Sequence, residues 1–127
     1  MSTGIDVRVA AADEGSIGGH RVPAGALVAL AGGKPIGVAE FHTHFYGHLF
    51  IELLLVEERY RRRGVASALI AACAAAAPTD RLFTSTNTSN LPARALFLGA
   101  GFEPSGSIDN LDEGDPEIVL CRLLGRS

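Results

Sequence analysis

Residues 56–70 read VEERYRRRGVASALI, an apolar run, a dense charged stretch, then a glycine where an alanine-rich segment begins. If that segment is a helix, its first turn carries backbone N–H groups without partners and a partial positive charge. Such an end binds a phosphate group without help from side chains. Gly64 lets the backbone come close to a bulky anion, Arg61, Arg62 and Arg63 add charge-assisted contacts to the same anion, and Ser67 offers a hydroxyl one turn in. On these grounds the segment is a pyrophosphate site whose owner the residues do not name. The competing reading is a solvated charged loop with Gly64 as a plain turn. Neither the Gly-Lys-Ser/Thr ending of a nucleotide-binding P-loop nor the G-x-G-x-x-G dinucleotide pattern is present.

Other residues with chemical potential are scattered. Glu52 stands inside an apolar run, a costly place for a carboxylate unless it is used or paired, so it reads as a functional group or, alternatively, as a structural hydrogen-bonding residue or one on an exposed strand edge. Glu40, His42 and His44 share one face of a strand by period two, with His48 just beyond a turn. A His-x-His pair can ligate metal, but no third ligand is set by spacing, so an ordinary polar strand face or a role in recognising a substrate reads better. Asp109, Asp112, Glu113, Asp115 and Glu117 crowd one turn, where Leu111 breaks the calcium-loop pattern. That turn reads as solvated, or as an attractor for a cationic substrate. Cys73 and Cys121 have neither metal nor disulfide spacing and read as small buried hydrophobes.

These residues need elements to hold them. Apolar runs over 26–31, 36–45 and 49–56, separated by Gly32-Gly33 and Tyr46-Gly47, predict three successive antiparallel strands. A helix follows over 64–77 and is stopped by Pro78; a strand over 81–86 leads to a second helix. Asn90 caps that helix, Pro92 lies in its first turn, Ala93, Leu96 and Phe97 form its apolar face, and Gly99 and Gly101 end it. Two last strands over 102–108 and 117–124 flank the acidic turn. Residues 1–24 show only a weak strand pattern over 5–9 before a loop. The order predicts one α+β (mixed α/β) domain over residues 1–127, a mostly antiparallel sheet enclosing a strand-helix-strand unit.

Composition sets limits. The chain has 127 residues, enough for one ordinary domain, with 47% hydrophobic and 20% charged residues and a formal net charge of -3. That balance argues against a nucleic-acid-binding surface. The sequence has no apolar run of membrane-spanning length and no secretory pattern at its start, so the expectation is a cytoplasmic protein without a membrane partner.

Arg61-x-x-Gly64-x-Ala66 after a strand, preceded by Val56 and Tyr60 and followed by Leu69, resembles the acyl-CoA signature of the GNAT N-acyltransferases. Asn90-x-x-Ala93-x-x-x-Phe97-x-x-x-Gly101-Phe102 is similar to the same family's late helix and the strand after it. The resemblance spans about residues 49–102 and implies a GNAT fold with a twisted central sheet, acetyl-CoA as co-substrate, no metal, and transfer of an acetyl group to a primary amine of a small molecule or peptide. It implies that Leu54, Leu55 and Val56 offer backbone groups to the pantetheine arm where two parallel strands splay. It further implies that Arg61, Arg62, Arg63, Gly64, Val65, Ala66 and Ser67 hold the pyrophosphate, that Asn87 or Asn90 bonds the arm, and that Glu52 is the base that takes the amine's proton. Simple capping by Asn90 is compatible with that role.

Two departures accompany the match. Residues 1–26 carry no amphipathic helix where the family has two, so the acceptor side is open or completed by a second subunit, as in a homodimer. Phe97 stands where many members carry a tyrosine that protonates the leaving thiolate; its ring suits the lining of the pantetheine tunnel instead. A non-catalytic acyl-CoA-binding or sensing module is the alternative these departures favour, and an interaction domain using the acidic turn is a third.

Overall fold

A computed structural model describes residues 4–125 of the chain. Met1 to Thr3, Arg126 and Ser127, part of the single domain expected over residues 1–127, lie outside the described residues. Within it the chain forms two compact units: residues up to Phe41 with Glu52–Ala76, and His42–Ile51 with the residues from Ala77 onward. Two long strands, β5 (Lys34–Phe45) and β6 (His48–Val56), contribute a stretch to each unit.

In the first unit, β1 (Asp6–Val9) pairs antiparallel with β4 (Leu27–Ala31), and β4 pairs antiparallel with β5. The β4–β5 turn is Gly32-Gly33 at φ 57° and 81°. Two successive left-handed residues make the tight turn whose twist suits a hairpin, and glycine adopts it without a Cβ penalty. Between β1 and β4 the chain forms a second hairpin, β2 (Ser16–Ile17) and β3 (His20–Arg21), in place of the expected loop. The reason is the same chemistry: Gly18 and Gly19 lie at φ 55° and 82°. Ala10, Ile17, Val22, Ala26, Val28, Leu30 and Val38 form a buried cluster with Leu55 packed against it. Helix α1 (Val65–Ala76) packs against β4 and β1 and buries Val65, Leu69, Ile70 and Cys73. A Cβ at Gly37 would lie 2.8 Å from Val65 Cγ1, so only glycine on β5 lets α1 approach this closely. Among the described residues no α-helix precedes α1, in keeping with the reduced N-terminal region expected.

In the second unit, Leu49, Phe50 and Ile51 of β6 pair in parallel with Leu82, Phe83 and Thr84 of β7 (Arg81–Asn87). Thr84 donates its hydroxyl to the Ile51 carbonyl at 2.9 Å. Helix α2 (Leu91–Gly99) follows, then β8 (Glu103–Ile108) and β9 (Glu117–Leu123), with β9 antiparallel to both β7 and β8. Alternate residues of β7, Leu82, Thr84 and Thr86, are buried, as period two requires for a strand with one covered face. The whole is an α+β chain with mostly antiparallel pairing, as expected. One detail differs: Leu96, assigned with Phe97 to the apolar face of α2, is 38% exposed, and Phe97 is the buried residue of that helix.

Candidate functional site

The glycine-opened helix is where the spacing puts it. β6 ends at Val56, and Glu57 fastens that end by donating its N–H to the Ile36 carbonyl at 2.8 Å, with Lys34 Nζ 3.7 Å from its carboxylate. A single 3₁₀ turn, Glu58–Tyr60, leads into exposed Arg61, Arg62, Arg63 and Gly64. Arg62 at φ 63° and Gly64 at φ 82° bring the chain round to the start of α1. The Gly64 carbonyl accepts from the Ala68 N–H at 3.0 Å, so the helical bonding begins there and the N–H groups of the preceding turn have no acceptor within the helix. No atom lies within 4 Å of where a Gly64 Cβ would stand, and Ser67 is exposed one turn in. This end of α1 is therefore open to an anion.

The arginines do not all point to one place. Arg61 donates Nε to the Val56 carbonyl at 3.2 Å, and the Arg63 guanidinium lies over the Tyr60 ring at 5.6 Å. Their charge stays close to the helix start, while Arg61 also braces the end of β6. Leu54, Leu55 and Val56 are half-buried there, and Val65 is buried beneath the first turn, with Ala66 partly covered.

Glu52 is exposed, so the burial penalty inferred from its apolar neighbours does not arise. The strand's two-residue period explains it: Leu49 and Ile51 are buried, and Glu52 faces the other way. It lines an open cleft of about 270 Å³ with Glu40, Phe41 and the Pro23, Ala24, Gly25 and Ala26 segment. Glu40 is hydrogen-bonded to His20 Nε2. Sequence reasoning missed His20, since a pairing 20 residues apart leaves no local signal.

In the second unit, His42 and His44 do share a face, and their rings stack with centroids 3.7 Å apart. His42 Nδ1 accepts the His44 N–H at 3.2 Å. Among the described residues no group of three or more His, Cys, Asp or Glu could hold a metal ion. Asn90 caps α2, its side-chain oxygen accepting from the Ala93 N–H at 3.2 Å. Asn87 donates Nδ2 to Asp112 at 2.7 Å and to the Asp115 carbonyl at 3.3 Å, so its amide is occupied by the acidic turn. Phe97 is 5% exposed and meets Phe102 edge-on at 5.3 Å. Burial pushes the Cys73 thiol up to about 12, which makes it a core residue and a poor nucleophile. No described helix is long and apolar enough to cross a membrane.

Comparison with known proteins adds a family. The model of the acetyltransferase (GNAT) family matches residues 8–102. A GNAT-family acetyltransferase from Bacillus cereus is 29% identical, with a TM-score of 0.82 over 96% of this chain and 99% of that one. Ard1 from Thermoplasma volcanium is 18% identical, with a TM-score of 0.76 over 97% and 99%. A GNAT-family acetyltransferase from Elizabethkingia anophelis, solved with acetyl-CoA bound, is 15% identical, with a TM-score of 0.75 over 95% and 99%. No curated protein matches the sequence.

Proposed function

The chain belongs to the GNAT acetyltransferase family and is an acyl-CoA-dependent acetyltransferase, and from that premise we propose that it acetylates a primary amine of a small molecule or peptide, with acetyl-CoA as donor. The observation that carries the donor half is the open start of α1. Gly64 is exposed, sits at φ 82° and has nothing around its missing side chain. A diphosphate fits a helix end of this kind, because the first-turn N–H groups and the nearby arginines supply donors and positive charge without a rearrangement of the core. The backbone of Leu54, Leu55 and Val56 is assigned to the pantetheine arm, with Arg61, Arg62, Arg63, Gly64, Val65, Ala66 and Ser67 at the diphosphate. Asn87 or Asn90, together with Phe97, is assigned to the donor on the strength of the family resemblance.

Bound acetyl-CoA supplies the activated thioester, and the chain must supply a base. An amine attacks only when neutral, so a proton must leave the ammonium form before the C–N bond forms and the C–S bond breaks to release the thiolate. Glu52 takes it, directly or through water. Its exposure on the wall of an open cleft supports this, since the carboxylate can exchange protons with solvent between turnovers. A cytoplasmic location fits an acyl-CoA substrate, and it fits cysteines that are both free thiols.

The test is Glu52→Gln, which preserves shape and removes the base. Turnover should fall about 10²-fold with acetyl-CoA affinity unchanged, measured by thiol release over a panel of primary amines and by calorimetry. Full turnover across the pH range would remove Glu52 from the mechanism.

A further inference from the structure

The acidic turn between β8 and β9, read from sequence as solvated or as a lure for cations, is bonded to the loop that starts α2. Three successive residues give it their polar hydrogens. Asn87 Nδ2 goes to Asp112 Oδ2 and to the Asp115 carbonyl, and Thr88 gives its N–H and its hydroxyl to the Pro116 carbonyl at 2.9 and 2.8 Å. Ser89 gives its N–H to Asp115 Oδ1 at 3.0 Å and its hydroxyl to Asp115 Oδ2 at 2.6 Å. The Asp115 carboxylate thus grips one residue with both oxygens, in charge-assisted bonds stronger than neutral ones.

The grip has a firm base. Asp115 closes a turn by donating its N–H to the Asp112 carbonyl at 3.2 Å, and it precedes Pro116, which restricts it to extended backbone. Asn87 is fixed in the β7–β9 ladder opposite Glu117, but toward α2 the segment has little other anchorage, because that helix buries only Phe97. Within its own segment, Arg94 donates to the Thr88 carbonyl at 3.0 Å and Asn90 caps the helix.

We infer that Asp115 is a positioning residue of this acetyltransferase, fixing the loop from Asn87 to Asn90 in its working conformation before the donor arrives. The inference rests on the proposal that this loop contacts acetyl-CoA. A loop ordered in advance does not take its ordering entropy from the binding step, so loosening it weakens binding. Electrostatics predicts the opposite sign: deleting a negative charge should tighten an anionic ligand.

The experiment measures acetyl-CoA affinity by calorimetry, KM and kcat by thiol release, and amide hydrogen exchange at Thr88 and Ser89, for the full chain and its variants. Asp115→Ala should raise Kd and KM for acetyl-CoA about tenfold, with kcat changing less, and speed exchange at Ser89. Asp115→Asn, which keeps one acceptor oxygen, should fall between. Ser89→Ala should give a smaller loss that does not add to that of Asp115→Ala, as for two partners of one contact; it also serves if Asp115→Ala does not fold. Glu113→Ala removes the same charge from the same turn and should leave affinity unchanged or slightly tighter. The inference is overturned if Asp115→Ala binds acetyl-CoA as tightly as the parent while Ser89 exchanges faster, or if Glu113→Ala weakens binding equally. A parent chain that binds no acetyl-CoA would instead overturn the proposed function on which the inference stands.

Discussion

Both helices follow a strand and a short loop, yet they are held by opposite means. Helix α1 is fixed from the side: Val65, Leu69, Ile70 and Cys73 are buried along it, and Gly37 allows it to lie close against β5. Its N-terminal end is exposed at Gly64. Helix α2 buries only Phe97 and is fixed at its end, by the Asn90 cap and by the hydrogen bonds of Asn87, Thr88 and Ser89 to the acidic turn. A helix anchored by its flank can leave its first-turn donors for a ligand. One anchored by its start has spent the capped N–H and the Asn87 amide on the protein, so what it adds to a ligand site is chiefly a prearranged shape.

The largest effect that sharpens this contrast is on stability. Leu69→Ala, at a fully buried position on α1, should cost about 2–5 kcal/mol by urea denaturation. Leu98→Ala on α2, where the side chain is 47% exposed, should stay within about 0.5 kcal/mol. Equal costs would break the comparison.

Next is Gly64→Asp, which should weaken acetyl-CoA about 10²-fold, the combined result of a left-handed residue that must accept a Cβ and of a carboxylate placed at the proposed diphosphate position. Circular dichroism should remain that of the parent, since no neighbour obstructs the new side chain. Unchanged affinity would remove the start of α1 from the donor site. A smaller effect is expected at the other helix: Asn90→Ala should cost about 1 kcal/mol, the usual value of a cap, and speed exchange of the Ala93 amide.

This contrast also marks what could be read from the sequence. The alanine-rich run ended by Pro78, the glycine before α1 and the Asn90 cap are local signals, and each gave an element within a residue or two of its observed bounds. The hairpin of Ser16–Ile17 and His20–Arg21 was missed because strands of two residues are too short to show a period. The bonding of the acidic turn to the segment before α2 is illegible for another reason: Asn87 and Asp112 are 25 residues apart, and nothing in an acidic run says that a distant loop will donate to it. Burial is misjudged twice, both times in the same direction. Glu52 looked buried among leucines but is exposed, and Leu96 looked buried by helical period but is 38% exposed, because period states which residues share a face and not which face is covered.

The smallest difference is a pH dependence at Cys73, and it appears only in alkali. The side chain is fully buried on the flank that anchors α1, and burial pushes its thiol from an ordinary 9.0 to about 12. In the unfolded chain the thiol ionises near 9.0, whereas in the folded chain it stays protonated. A group whose folded value is raised contributes stability that is fully present below the unfolded value and is lost as pH rises through the folded one. Between about pH 9 and 12 the unfolded state therefore loses a proton that the folded state keeps, and folding weakens. Cys73→Ala removes that titration at the cost of a small cavity, which does not depend on pH. Other alkaline groups titrate in both proteins and cancel in the difference. The stability advantage of the parent over Cys73→Ala should thus be constant from pH 7 to 8.5 and shrink steadily above pH 9, followed by urea denaturation at each pH. Parallel curves through that window would mean that water reaches the thiol, and that α1 is held less firmly along its flank than the burial of Val65, Leu69, Ile70 and Cys73 requires.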